Sequence, residues 1–159
     1  MIDVTESDLR AALHVDRWVA DVLARSPYAD WAALRAFAHE AATPLSTAEI
    51  DEAMAAHPRI GDRPLGTAVA DDFSRSEQQS PDVENQHLAK ALAEGNATYE
   101  KRFGRVFLIR AAGRTRAEIV DELDRRLKLD DETELALIGD ELRDITLLRL
   151  EKLYGGAAA

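Results

Sequence analysis

The chain has 159 residues, of which 46% are hydrophobic and 31% charged, and it contains 8 glycines and 5 prolines. This composition is typical of one ordered globular domain and excludes a disordered or fibrous protein. The formal net charge of -10 disfavours a broad nucleic-acid-binding surface, because phosphate binding depends on Lys and Arg. The absence of cysteine excludes disulfides, a thiolate nucleophile and a Cys-based zinc site.

The sequence also carries no recognisable targeting or membrane signal. The N-terminal MIDVTESDLR lacks the basic start and apolar run of a secretory signal. No apolar stretch approaches the ~18 residues that span a bilayer, and the C-terminal GGAAA matches no receptor-read address. We therefore expect a cytoplasmic protein that binds neither membrane nor nucleic acid.

Apolar residues recur at intervals of three and four along nearly the whole chain, which indicates amphipathic helices. The pattern predicts an all-α, single compact helical-bundle domain of about seven or eight helices over residues 1–159, with 154–159 as a flexible tail. The predicted elements, in chain order, are one or two helices over Thr5–Arg25, a helix beginning at Pro27, one over Ser46–Ala56, a long one over Ser76–Phe103 with or without a break near Pro81, one over Thr115–Leu129, and a last one over Asp131–Tyr154.

Three local signals mark where these helices begin or end. Ser46 with Glu49, and Thr115 with Glu118, have the spacing of a capping box, in which each side chain caps the other residue's main-chain N–H. Gly104 follows the long helix and is suited to the left-handed conformation that ends many helices.

Two stretches break the helical pattern. Residues 57–72 contain two glycines and two prolines, and an irregular loop of that length in a compact domain is often functional. The apolar run VFLI within residues 105–110 is too short for a helix. It predicts either a short extended segment near 106–110 that passes through the core, or a lone strand.

His57 differs from the other three histidines, His14, His39 and His87, which fall within helical patterns and are expected on the surface or half-buried. His57 stands where a helix must end, because Pro58 disfavours helical geometry in the residue before it. The partial negative charge of a helix C-terminus favours imidazolium, so His57 could act as a general acid or base. From the local sequence alone, a simple capping role is favoured.

A polar cluster follows the irregular loop and consists of Ser74, Arg75, Ser76, Glu77 and Gln78. Its hydroxyl, amide and carboxylate groups could bind a substrate rich in N–H and C=O groups. Considered alone, the cluster is better explained as the capping segment of a helix.

Two further features could bind a polar ligand. The stretch FLIRAAGR, residues 107–114, would expose main-chain N–H and C=O groups if extended, and Gly113 would allow close approach. Arg149 lies among leucines and could pair with a carboxylate, or it could be the exposed member of an amphipathic helix. No spacing typical of a metal site or of a phosphate-binding glycine loop is present, so we expect no metal and no nucleotide cofactor.

Several of these segments, in this order, resemble one known family, the 2-oxo-4-hydroxy-4-carboxy-5-ureidoimidazoline (OHCU) decarboxylases. The resemblance covers most of the chain from Ser46 onward and is loose before it. One departure is the Arg105-Val106 step, where many members have an aromatic residue or proline. The segments that carry the resemblance are HPRIG at 57–61, SRSEQ at 74–78, RFGRVFLIRAAGR at 102–114, TRAEIVDELDRRL at 115–127 and LRDITLLRLEKL at 142–153.

The resemblance implies an all-helical homodimer that, without a cofactor, converts its small anionic substrate to (S)-allantoin and carbon dioxide. The catalytic residues implied are His57, as acid/base, and Glu77, which would bind N–H groups of the substrate. The late-helix arginine that would anchor an anionic oxygen is Arg149, with Arg143 as the alternative. The other implied substrate contacts are Pro58, Ser74, Arg75, Ser76, Gln78, Ile109, Arg110, Ala111, Ala112 and Gly113.

Two other functions remain open at this point. One is a non-catalytic helical interaction module, which predicts that positions 57, 74, 77 and 78 are exposed and scattered. The other is a cofactor-free enzyme that acts on a related ureido or imidazole acid.

Overall fold

The computed structural model describes residues 1–57, 73 and 77–156. Within these ranges it contains seven α-helices and no β-strand, so the all-α prediction is confirmed. None of the described helices combines the length and apolarity needed to cross a bilayer. The helices are α1 (Glu6–Ala12), α2 (Asp16–Ala24), α3 (Trp31–Ala41), α4 (Thr47–Met54), α5 (Gln86–Phe103), α6 (Arg116–Arg126) and α7 (Asp131–Tyr154).

The predicted capping residues form the predicted caps. The Ser46 hydroxyl accepts from Glu49 N at 3.1 Å, and the Glu49 carboxylate accepts from Ser46 N at 3.0 Å. Thr115 and Glu118 make the same reciprocal pair at the start of α6. Gly104 ends α5 with φ of 73°, a left-handed conformation that glycine adopts without steric cost.

Other helix boundaries differ from the predictions because side chains supplied stronger start signals. The third helix begins at Trp31 and not at Pro27, since the Asp30 carboxylate accepts from Ala33 N at 2.8 Å. The long helix after Pro81 begins only at Gln86, where the Asn85 side chain accepts from Leu88 N at 3.1 Å. Residues 81–84, between the polar cluster and the start of this helix, form a turn. α4 ends at Met54 and α6 at Arg126, two to three residues before the predicted ends.

The chain divides into two compact units, and α7 contributes residues to both. The first unit consists of residues 1–56 with the chain from 139 onward. Its core includes the fully buried Trp18, whose indole N–H donates to the Ala38 carbonyl at 3.1 Å. The Thr146 hydroxyl donates to the Ala12 carbonyl at 3.3 Å, and the Tyr154 hydroxyl donates to Asp8 at 2.7 Å. The last helix is thereby hydrogen-bonded to α1.

The second unit, residues 57–138, has its core between α5 and α6. The two helices approach closely at Gly95, where a Cβ would lie 2.4 Å from Leu123 Cδ2. Residues 106–111 form neither helix nor strand, which agrees with the prediction that VFLI is not helical and leaves the lone-strand alternative without support. The core cluster consists of Leu92, Tyr99, Phe107, Ile109, Ala111, Ile119 and Leu123.

Candidate functional site

His57 lies three residues beyond the end of α4 and its side chain is half-buried. It is the first residue of the second unit. His14 and His87 are exposed and His39 is half-buried, as the sequence predicted for these three positions. His39 and His87 lie within helices, whereas His14 lies between α1 and α2, so its predicted place within a helix is wrong. His57 also lies outside a helix, as the first residue of the irregular stretch predicted over 57–72.

Glu77 is buried, with only 8% of its surface exposed. A carboxylate at that depth is costly to desolvate unless polar groups bind it. Gln78, the next residue, is half-buried, and Phe73 and Glu77 both have helical backbone. The remaining predicted contacts of this region lie outside the described residues; they are Pro58, Ser74, Arg75 and Ser76.

Asp82 connects the segment after Gln78 to the start of α6. Its carboxylate accepts from the main-chain N–H of Arg116 at 2.8 Å and of Ala117 at 3.1 Å. It also accepts from the Ser80 hydroxyl at 2.7 Å. These bonds, the Arg116 N–H first, hold the pKa of Asp82 below its ordinary value. Because α6 begins three residues after Gly113, this carboxylate ties the Glu77 region to the segment predicted to bind substrate through its main chain.

That segment, Ile109–Gly113, begins outside helix and strand and ends in a turn at 112 and 113. Ile109 and Ala111 are buried, Arg110 and Ala112 are half-buried, and Gly113 is exposed with φ of 79°. The turn closes when Arg114 N donates to the Ala111 carbonyl at 3.1 Å. Backbone outside helices and sheets does not use its N–H and C=O groups in a regular ladder, so such groups can bind a flat polar ligand.

A buried ion pair, Arg126 with Glu134, contacts the residue that precedes this segment, Leu108. Arg126 is fully buried and donates through Nη1 to the Leu108 carbonyl at 2.6 Å. Its Nε and Nη2 donate to Glu134, which is 1% exposed and also accepts from the Tyr99 hydroxyl at 2.5 Å. Burial, followed by the bond to Glu134, raises the pKa of Tyr99.

The sequence-based reasoning missed Arg126, Glu134, Tyr99 and Asp82. A signal existed for the ion pair, because Arg126 continues the apolar stripe of Ile119 and Leu123 at helical spacing. A charged residue within such a stripe is expected to be buried and paired. Asp82 offered no comparable signal, since a turn aspartate ordinarily bonds its own neighbours.

The two late-helix arginines have different environments within the first unit. Arg149 is 5% exposed and donates through Nη1 to the Ala11 carbonyl at 2.9 Å. It is therefore not the exposed member of an amphipathic helix. Arg143 is half-buried and pairs with Asp140 at 3.3 Å and Asp144 at 3.4 Å. Burial distinguishes Arg149 as the candidate for binding a desolvated anion.

The described site residues do not have the exposure that an interaction module predicts, since His57 and Gln78 are half-buried and Glu77 is buried. Among residues 1–57, 73 and 77–156, no cluster of three or more His, Asp and Glu side chains could hold a metal ion. The described residues define a small all-α protein with buried polar side chains, one of which, Arg126, binds an irregular segment through the Leu108 carbonyl. The chain belongs to the OHCU decarboxylase family, whose model, described as OHCU decarboxylase, matches residues 4–151.

Individual relatives agree with the family assignment. The uric acid degradation bifunctional protein TTL of Arabidopsis thaliana is 39% identical over 111 residues, which are 67% of this chain and 34% of that protein. A mouse protein named 2-oxo-4-hydroxy-4-carboxy-5-ureidoimidazoline decarboxylase is 34% identical over 101 residues, 62% of this chain and 57% of that one. The matched region thus spans about a third of the Arabidopsis protein and somewhat over half of the mouse protein.

Two crystal structures share the fold. One is OHCU decarboxylase in the presence of (S)-allantoin, with a TM-score of 0.77 and 26% identity over 95% of this chain and 99% of that chain. The other is (S)-allantoin synthase, with a TM-score of 0.66 and 15% identity over 92% of this chain and 48% of that chain. At 15% identity, the second shows likeness of fold alone.

Proposed function

We propose that this protein decarboxylates 2-oxo-4-hydroxy-4-carboxy-5-ureidoimidazoline to (S)-allantoin and carbon dioxide in uric acid degradation. The observation that carries the proposal is the match of residues 4–151 to the OHCU decarboxylase family. Three features of the chain support it: a histidine three residues beyond α4, a buried carboxylate at Glu77 and a non-helical segment at 109–113.

The reaction suits a protein without an organic cofactor. The substrate carries a carboxylate and a hydroxyl on ring carbon C4, next to the C=N bond of the ureido-bearing carbon C5. When the bond from C4 to the carboxylate breaks, carbon dioxide leaves and the electron pair passes into that C=N bond, whose nitrogen takes up a proton. The C4 hydroxyl of the resulting enol then gives up its proton and becomes a carbonyl, and a proton adds to one face of C5 and gives a single enantiomer. The protein has to orient the substrate, place charge and deliver that proton.

The roles follow from the chemistry of each side chain. We assign His57 the acid/base role, because imidazole changes protonation near neutral pH. Glu77 would bind ureido or ring N–H groups, with Gln78 and Ser74 fixing the ring. Main-chain groups of 109–113 would bind the developing oxyanion. The remaining assigned contacts are Pro58, Arg75, Ser76 and, as anchor for an anionic oxygen, Arg149.

Three further properties belong to the same proposal. We propose a homodimer, a cytoplasmic location and activity without metal or organic cofactor. Sedimentation equilibrium tests the dimer, and full activity after dialysis against a chelator tests independence from metal. A monomer at assay concentration, or activity that returns only when a metal is added back, would contradict these points.

The test of the main proposal is a coupled assay in which uricase and the hydrolase that follows it supply fresh substrate. Circular dichroism then follows the formation of optically active allantoin. We expect wild type to exceed the uncatalysed control, and His57→Ala to lose at least ~10²-fold in rate if His57 transfers the proton. His87→Ala, at an exposed histidine of α5, is the matched control and should keep wild-type turnover.

Two results would contradict these assignments. Wild-type protein that forms optically active allantoin no faster than the control reaction has some other substrate, such as a related ureido acid. Full turnover by folded His57→Ala would remove His57 from the chemistry.

A further inference from the structure

The Arg126–Glu134 pair is fully buried, since both side chains are 1% exposed. In contrast, the Arg125–Glu122 and Arg143–Asp140 pairs each have both members at least 20% exposed. Burying two charges costs desolvation free energy that their attraction often only offsets. Replacing a buried ion pair by well-packed apolar side chains is often neutral or stabilising. The arrangement is therefore poorly explained by stability alone.

Arg126 uses its three nitrogen atoms in two directions. Nε and Nη2 bind Glu134, and Nη1 binds the carbonyl of Leu108. Its guanidinium also lies 4.8 Å from the centre of the Phe107 ring. Phe107 and Leu108, which directly precede Ile109, are thus both contacted by one side chain.

Glu134 and Tyr99 hold the guanidinium in turn. The Tyr99 hydroxyl donates to the same carboxylate at 2.5 Å, and its ring lies edge-on to Phe107 with 5.2 Å between the ring centres. A planar guanidinium bound along one edge by a carboxylate has little freedom to rotate. The position of Nη1, and with it that of the Leu108 carbonyl, is determined by this network.

We propose that Arg126 is a positioning residue for the decarboxylation. By binding the Leu108 carbonyl, it fixes the position of the main chain of 109–113. The inference rests on the proposed function, which assigns that main chain to substrate binding. In a sheet, neighbouring strands would fix the position of such a segment, but residues 106–111 have no strand partner among the described residues. Here the position of the segment is fixed instead by the side-chain network of Arg126, Glu134 and Tyr99.

The principal variant is Arg126→Lys, which keeps a positive charge for Glu134 but cannot bind Glu134 and Leu108 with the same fork of donors. Misplacement of a binding group by about 1 Å can cost on the order of 10²-fold. We expect kcat/KM to fall by about tenfold or more in protein that is still folded. The control is Arg125→Lys, one residue earlier, at an exposed arginine that pairs with Glu122; it should stay within about twofold of wild type.

A milder variant covers the case in which Arg126→Lys does not fold. Tyr99→Phe removes one hydroxyl and leaves the ring in place, so the carboxylate loses one of its donors. It should lower kcat/KM in the same direction by a few-fold. If Tyr99→Phe and Arg126→Lys lower only the unfolding temperature, with kcat and KM unchanged well below it, the network is merely structural and the proposal is wrong.

Hydrogen exchange separates this proposal from the proposed function. In Arg126→Lys, and in Tyr99→Phe, amides of 108–113 should exchange faster than in Arg125→Lys, when each is normalised to amides in the middle of α5. Equal exchange would overturn the positioning role even if the enzyme is active. If the two variants show this faster exchange but the wild-type protein makes no allantoin, the proposed function is refuted. The conclusion that the network holds the segment in place would then still stand.

Discussion

The carboxylate of Asp82 binds the main-chain N–H of Arg116, 34 residues further along the chain, at 2.8 Å. It caps α6 from outside that helix, because Thr115 already fills the N-cap position. Two carboxylates, those of Asp82 and Glu118, therefore lie at the first turn of α6, where the helix dipole favours negative charge. The bond also joins the neighbourhood of Glu77 to that of Gly113.

The Asp82 contact predicts a pH-dependent loss of stability. The folded-state pKa of Asp82 is lower than its ordinary value of 3.8, so its contribution is present above the unfolded pKa and is lost as pH falls through the folded pKa. Asp82→Asn should unfold at lower temperature than wild type at pH 7, and the difference should shrink as pH falls below about 4. Thermal unfolding at several pH values measures this. Asp121→Asn, on the exposed face of α6, should behave like wild type throughout.

Glu77→Gln removes a charge from the candidate site with little change of shape. If the carboxylate binds N–H groups of the substrate, the loss of a charge-assisted hydrogen bond of ~1.5–3 kcal/mol should lower kcat/KM by about 10- to 100-fold. The coupled assay measures it, and Glu84→Gln, at an exposed glutamate of the following turn, should match wild type. Unchanged kinetics in Glu77→Gln would make Glu77 a helix cap with no part in binding.

Arg149→Met and Arg143→Met distinguish the two late-helix arginines. Because Arg149 is buried and assigned to an anionic oxygen, its replacement should raise KM by about tenfold or more. It should also lower the unfolding temperature, since the Ala11 carbonyl loses its donor. Arg143 makes longer, partly exposed ion pairs, so Arg143→Met should change KM by less than about twofold. A larger effect on KM in Arg143→Met would transfer the role to Arg143.

Two glycine replacements should change stability in opposite directions. Gly104→Ala forces alanine into a left-handed conformation with φ of 73°, at a cost of about 1 kcal/mol. Gly139→Ala lies inside α7, where the new Cβ would have only an ordinary contact of 3.7 Å with Ile50 Cδ1. It should therefore stabilise the protein by up to about 1 kcal/mol. Denaturant unfolding measures both, and equal effects from the two changes would contradict the assigned conformations.

Local sequence was sufficient to predict much of the fold. The capping boxes at Ser46 and Thr115, the end of α5 at Gly104 and the bounds of α7 all depend on interactions within one helical turn. A non-helical segment after Gly104 was predictable because the run of four apolar residues is too short for a helix of its own. The family resemblance also came from contiguous motifs, which are visible without coordinates.

The tertiary structure decided which polar residues are buried and which segments they hold. That Arg126 binds Leu108, that Asp82 caps a helix 34 residues away and that Arg149 rather than Arg143 is buried all depend on packing between elements distant in sequence. A single sequence determines periodicity and caps because they act over one turn. It does not specify which stripe faces which neighbour, and the burial of a charge depends on that neighbour supplying its partner.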